Sequence, residues 1–377
     1  MNLLLAAALA LAIDTDGMIK INGERMFFVG LYEAPKITDP LPDLRAAGFN
    51  LIHAPSLPAL QAAARHGLYA WSTTGTLDAK NEAAIRQKVA ALKNESALIL
   101  WEIEDEPTFV WKKPLEIRTP PERIIATRKL IQSLDPARLF YLNQAPTNLV
   151  KTLQRYNPGT DVIATDVYPV IPRGIRESYA LWPDGQQGDL LNESISQVGQ
   201  YVDKMRQVAG PSKPVFMILQ GFAWETIQKQ PDPKMILYPT VDQTRFMAFQ
   251  SIVHGANGLL FWGLHLGPAN NPAWQSARAV AAELKPLAKE LAARPLPARL
   301  TLDYHDTGHS LDRGLAYILK PTANGAILIA VNEDKNPIDV TISGLNAYRS
   351  CTNANLANGA LREKLPPFGA RLYRCVH

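Results

Sequence analysis

Along most of the chain, short unbroken apolar runs alternate with longer segments in which apolar residues recur every three or four positions. The first kind reads as strands buried on both faces, the second as amphipathic helices. Asp16-Gly17 and Asn22-Gly23 bracket Met18 to Ile21 and predict a hairpin, because Asn-Gly readily takes the positive φ of a tight turn. The second arm, 25–32, is the first long strand, and runs at 49–54, 68–72, 138–143, 161–168, 214–220 and 258–263, with one opening at Leu98, supply the others. Helical spacing fills 57–66, 79–93, 120–134, 147–156, 190–209, 241–255 and 273–293.

Eight strands, all but the first followed by a helical segment, predict a closed parallel (β/α)8 barrel of the TIM type. A doubly wound open sheet is the alternative, but it usually stops at about five to seven strands and brings a Gly-rich phosphate loop. No such loop is present in the sequence. Arg294-Pro295-Leu296-Pro297 interrupts the helical pattern, and from 298 to 377 apolar and polar residues alternate between turn signals such as Asn324-Gly325 and Asn358-Gly359. This predicts a small antiparallel β-sandwich. The expected organisation is a leader over 1–12, a barrel with its hairpin over 13–294, and the sandwich over 298–377.

Composition changes this picture little. At 377 residues the chain suits one large domain and one small one. A formal charge of +4, scattered along the chain, gives no support to nucleic-acid binding. Residues 3–12 are only Ala and Leu and end Ala-Leu-Ala, a small-x-small pattern that predicts a cleaved leader and export to the periplasm or beyond, although no basic residue precedes it. The segment is too short to span a membrane, and no later stretch qualifies. Cys351 and Cys375 fit either a disulfide or two buried thiols. Oligomeric state has no signature here.

Chemistry concentrates at one strand end. Leu98-Ile99-Leu100-Trp101 turns abruptly acidic, with Glu102, Glu104, Asp105 and Glu106 inside five positions before Pro107. Crowding and burial raise one carboxyl's pKa until it serves as an acid, which a purely structural strand end has no use for. In a parallel barrel all strands open at their C-terminal ends onto one face. That face would gather Tyr32, Glu33, His53, Thr73, Asp105, Glu106, Asn143, Asp166, Tyr168, Gln220, Trp262 and His265. Such a polar and aromatic rim suits sugars, whose hydroxyls need hydrogen bonds and whose C–H faces need flat apolar surfaces. His53, His254 and His265 form no His-x-His or His-x-x-x-His pair, no Lys ends a strand, and no Gly-x-Ser-x-Gly elbow occurs. Metal, Schiff-base and serine-hydrolase chemistry therefore lack support, and no cofactor is expected.

The stretch Trp101-Glu102-Ile103-Glu104-Asp105-Glu106-Pro107 resembles the strand-four motif of the clan A (β/α)8 glycoside hydrolases, aromatic-Glu-x-x-Asn-Glu-Pro, with Asp105 in place of Asn. Leu260-Phe261-Trp262-Gly263-Leu264 is similar to that clan's aromatic residue on strand eight, and Pro367 to Tyr373 resembles the closing phrase of its accessory sandwich. The resemblance implies cleavage of β-linked oligo- or polysaccharides, with Glu106 as acid/base, Asp105 on the sugar's 2-hydroxyl, and Tyr32, Tyr168 and Trp262 as walls. It fails on strand seven. Where the clan carries a nucleophilic Glu after Lys-Pro and an apolar strand, Lys213 to Leu219 leads into Gln220. Three readings stay open: Asp166 supplies the second carboxylate with Gln220 helping to orient the sugar, Glu225 folds back from the next loop, or the barrel binds carbohydrate without cleaving it.

Overall fold

A computed structural model describes residues 9–111, 113, 115–172, 194–306 and 313–377. The predicted barrel is present. Its strands are β4 (Phe28–Leu31), β5 (Leu51–His53), β6 (Tyr69–Thr73), β7 (Leu98–Glu102), β8 (Leu139–Asn143), β9 (Val162–Asp166), β10 (Val215–Gln220) and β11 (Gly258–Trp262). They close in sequence order, all parallel, with β11 paired back onto β4. Phe28, Leu51, Trp71, Leu100, Tyr141 and Phe216 fill the interior, so the cylinder is packed and not a pore.

The N-terminal hairpin closes the bottom. β1 (Leu11–Ile13), β2 (Ile19–Ile21) and β3 (Glu24–Met26) form an antiparallel sheet whose Ile19 and Ile21 join the barrel-interior cluster. Asn22 and Gly23 both take positive φ, 52° and 86°, as an Asn-Gly turn requires. Phe27 separates β3 from β4, so the expected single arm over 25–32 divides between sheet and barrel. The leader expected over 1–12 ends inside β1, which pairs with β2; residues 1–8 lie outside the described residues.

Helices α1 (Pro40–Ala47), α2 (Leu57–Arg65), α3 (Glu82–Leu92), α4 (Pro121–Leu134), α5 (Val150–Gln154), α6 (Gln197–Ala209), α7 (Val241–Val253), α8 (Pro272–Leu284) and α9 (Ala288–Ala292) wrap the barrel. The helix expected over 273–293 breaks at Lys285 because Pro286 has no N–H to continue the ladder. Of the helix expected over 190–209, the described part begins at Gln197, and most of the preceding long loop, with Tyr179, Trp182 and Asp184, lies outside the described residues.

The C-terminal unit is a sandwich of two antiparallel sheets. One holds β12 (Thr301–Tyr304), β15 (Ile338–Ser343) and β17 (Ala360–Leu365); the other holds β13 (Leu315–Thr322), β14 (Gly325–Asn332), β18 (Ala370–Val376) and β16 (Ser350–Cys351). Leu328, Ala330, Val340, Ile342 and Leu361 form the core between them. The alternate residues of β14, Ile327, Ile329 and Val331, belong instead to the core of the barrel's helical layer, so every residue of this strand is buried. Cys351 and Cys375 are joined in a disulfide between β16 and β18. No helix among the described residues is long and apolar enough to cross a membrane.

Candidate active site

The C-terminal ends of the barrel strands open into a cleft of about 600 Å³. Tyr32, Asp105, Glu106, Asp166, Tyr168 and Trp262 all line it with His53 and Thr73, so the closed ring gathers most of the expected site residues at one place. Glu33, Glu102 and Asn143 line it as well.

β7 ends at Glu102, and the acidic residues beyond it form a turn. Glu106 adopts φ 44°, the left-handed region that glutamate rarely occupies. Its own backbone is held on both sides: the N–H donates to Asn143 O at 3.1 Å, and the carbonyl accepts from Phe109 N at 2.9 Å and Arg118 Nη2 at 3.0 Å. Arg118 also donates to the Asp105 carbonyl and meets Glu104 Oε1 at 3.2 Å, while Thr76 and Thr119 donate to the same carboxylate's Oε2. Backbone held out of its ordinary range and braced this firmly is a feature of functional turns.

The Glu106 carboxyl hydrogen-bonds the side chain of Asp166. Burial first, then the charges of Asp166 and Asp105, push its pKa far above the usual carboxylate range, with Arg118 opposing. Two carboxyls in contact cannot both ionise cheaply, so the pair shares a proton. Asn143 braces the arrangement, donating both amide hydrogens, to Asp105 Oδ1 and Asp166 Oδ1, each at 3.0 Å. Tyr168 hydrogen-bonds Asp166 through its hydroxyl. Water reaches Asp105 through the open cleft, yet the surrounding walls remove enough solvent to lift its carboxyl to about 6, with Asp166 adding to the shift.

A deeper layer keeps a further acid neutral. Glu102 is buried; Trp71 Nε1 and Thr73 Oγ1 donate to its Oε2 at 3.2 and 2.7 Å, and burial, then Asp105, raise its pKa to about 8. Tyr32 and Tyr141 share a 2.6 Å hydroxyl contact beside it.

Aromatic rings continue the wall from Tyr168. Tyr168 and Trp262 stack with centroids 5.4 Å apart at 26°, and Phe222 stands edge-on to both. Gly263, at φ 90°, lets the chain turn after Trp262, where a Cβ would meet Phe222 at 2.7 Å. Trp111, 46% exposed, and Ile227 extend the apolar surface along the rim.

Three expected residues lie off the cleft lining, and one of them, His265, stands behind it with Nδ1 3.1 Å from Glu33 Oε2. Gln220 is buried with its amide turned into the backbone: Oε1 accepts from Val170 N at 2.9 Å, and Nε2 donates to Val170 O and Phe222 O at 3.0 and 3.1 Å. It does not line the cleft, so orienting a sugar is not its place. Glu225 is buried in the next loop, where its Oε1 accepts from Asp232 N at 2.7 Å, and it does not fold back to the barrel mouth. Asn143 was read only as a strand tip; its bridging role depends on β8 lying between β7 and β9, which ring closure supplies.

No family model matches the chain, and no curated protein matches its sequence. Solved structures do match in shape. A protein described as a glycoside hydrolase superposes with a TM-score of 0.60 at 14% identity, over 97% of this chain and 93% of that one. A family 5 glycoside hydrolase from Bacteroides vulgatus gives 0.56 at 13% identity, over 98% and 94%. The family 5 mannosidase from Rhizomucor miehei gives 0.52 at 13%, over 74% and 99%. Likeness at such identities shows the shared fold, a (β/α)8 barrel.

Proposed function

We propose that this chain is a glycoside hydrolase acting on a β-linked oligo- or polysaccharide, with Glu106 as the proton donor to the leaving oxygen. The observation that carries the reading is the Glu106–Asp166 carboxyl pair on the wall of an aromatic-lined cleft. Asp166, in its ionised form, holds the proton on Glu106 in the resting site and releases it to the glycosidic oxygen as charge develops there. Tyr168 and Trp262 offer the sugar's C–H face a platform, and Asp105 and Tyr32 face its hydroxyls. The solved structures that share the fold are described as glycoside hydrolases, which agrees with this assignment. The Cys351–Cys375 disulfide agrees with export to an oxidising compartment.

A second reading, a barrel that binds glycans without cleaving them, is favoured by Gln220, since β10 ends in a neutral amide committed to the backbone. Incubation with β-linked gluco-, manno- and xylo-oligosaccharides separates the two. The hydrolase reading expects new reducing ends from the wild type and none from Glu106→Gln. Saccharide binding without product, equal in both proteins, would favour the second.

A further inference from the structure

Hydrolysis at an anomeric carbon needs carboxyl groups on both sides of the sugar. Glu106 and Asp166 occupy one wall and touch each other, so they cannot flank the ring from two faces. Gln220 and Glu225 are turned away. Among the described residues, one further carboxyl lines the cleft from another strand. Glu33 follows β4, which lies three strands from β7 along β4–β5–β6–β7 and five the other way. In a ring of eight, where four strands would be diametric, this sets Glu33 well round the rim from β7.

Its surroundings differ from those of the acid pair. The Glu33 side chain is 40% exposed, and its Oε2 rests 3.1 Å from His265 Nδ1 with neither atom in an aligned hydrogen bond. Oε2 is thus buried against the histidine, while the side chain as a whole stays partly exposed on the cleft wall. Burial, then the charge of Asp105, lifts it to about 7, so that both ionisation states are accessible near neutrality.

We propose that Glu33 is the base of the reaction, activating a water that attacks the anomeric carbon on the face turned away from Glu106. This rests on the hydrolase reading above and completes it. The water's O–H bond breaks, its proton passes to the Glu33 carboxylate, and its oxygen bonds to the anomeric carbon. The glycosidic C–O bond breaks with its electron pair going to the leaving oxygen, which takes the proton from Glu106. The product sugar has the inverted configuration; Glu33 then gives its proton to solvent and Glu106 regains one. A separation of about 6.5–9.5 Å between the working carboxyls accommodates that water.

The test uses the full chain with 2,4-dinitrophenyl β-glycosides of glucose, mannose, galactose and xylose. On whichever is cleaved, Glu33→Ala is expected to lower kcat by about 10²–10⁴-fold, with KM nearly unchanged. Added azide, which needs no base, should restore turnover and yield the α-glycosyl azide. Proton NMR of the wild-type reaction should show the α-anomer of the sugar first. Glu33→Gln, of the same shape, should lose activity equally while melting like the wild type, which covers misfolding of the Ala variant. Either Glu33 variant turning over within threefold of wild type, loss of activity without azide rescue, or first release of the β-anomer would overturn the proposal while leaving the hydrolase reading standing. A wild type that binds saccharides but releases neither dinitrophenolate from these probes nor reducing ends from the oligosaccharides overturns both.

Discussion

Two clusters of buried carboxylates sit at opposite ends of the structural problem. In the cleft, the main neighbours of Glu106 are other acids, Asp166 and Asp105, and its pKa rises. Between barrel and sandwich, Glu333 meets a partner of the other kind: His254, at the end of α7, reaches Glu333 Oε1 with Nε2 at 2.7 Å and Asp203 Oδ1 with Nδ1 at 2.8 Å. Gln250 Nε2 donates to the same Glu333 oxygen. Burial lowers the pKa of His254, but the hydrogen bonds and charges of Asp203 and Glu333 outweigh it and raise the value to about 9. The same side chain is thus a proton reservoir in one place and half of a latch in the other. What decides is the sign of the neighbouring charge, since burial is common to both.

The largest effect that would break this comparison is in the cleft. Glu106→Gln should lower turnover of unactivated saccharides by about 10²–10⁴-fold, the usual worth of a general acid. A substrate with a dinitrophenolate leaving group needs no proton and should lose far less; equal losses on both would remove Glu106 from proton transfer.

At the latch the loss should be in stability. His254→Ala strands Glu333 without its cation and should destabilise the fold by about 3 kcal/mol, measured by urea unfolding, with kcat unchanged. The pH dependence has a definite sign. Because the folded pKa of His254 is raised above its unfolded value, its contribution is fully present below about 6.5 and is lost as pH climbs through about 9. The melting temperature of the wild type should therefore fall between pH 7 and 10 more steeply than that of His254→Ala.

Gln220→Glu sharpens the contrast from the other side. A carboxylate there would face the carbonyls of Val170 and Phe222, to which the amide now donates. A loss of roughly 1–3 kcal/mol of stability and no gain in turnover are expected. Increased hydrolysis would show that β10 still supplies a working position. The smallest effect is expected from Trp262→Ala, which removes one ring of the stacked pair; about 1 kcal/mol, or several-fold in KM with kcat nearly constant, is the scale of such a contact.

How far these features could be read from the chain depends on how local they are. Glu106 was legible because its neighbours in sequence crowd it, and the barrel because apolar runs and helical spacing alternate regularly. α1 was not read, since two prolines in Pro40-Leu41-Pro42 obscure its apolar spacing while suiting a helix start. β17 was hidden by Arg362 and Lys364, which alternate outward between buried Leu361 and Leu365. Gln220 stood correctly at a strand end, but which way a terminal amide turns depends on the loop that Val170 begins, fifty positions away in sequence. Glu33 was recognised only as a strand tip because sharing one cleft with Glu106 is a property of the ring.

The burial of β14 on both faces has a consequence for how this protein can evolve or be trimmed. One face belongs to the sandwich and the other to the barrel's helices, and Lys320 of β13 fastens the seam by donating to Leu291 O and Ala293 O at 3.0 and 2.8 Å. Cutting the gene at Pro295–Pro297 would not release a self-sufficient barrel, since removing Ile327, Ile329 and Val331 would leave a greasy wall along α7 open to water. The two halves should therefore melt together in a single transition, and the sandwich behaves as a buttress rather than a passenger.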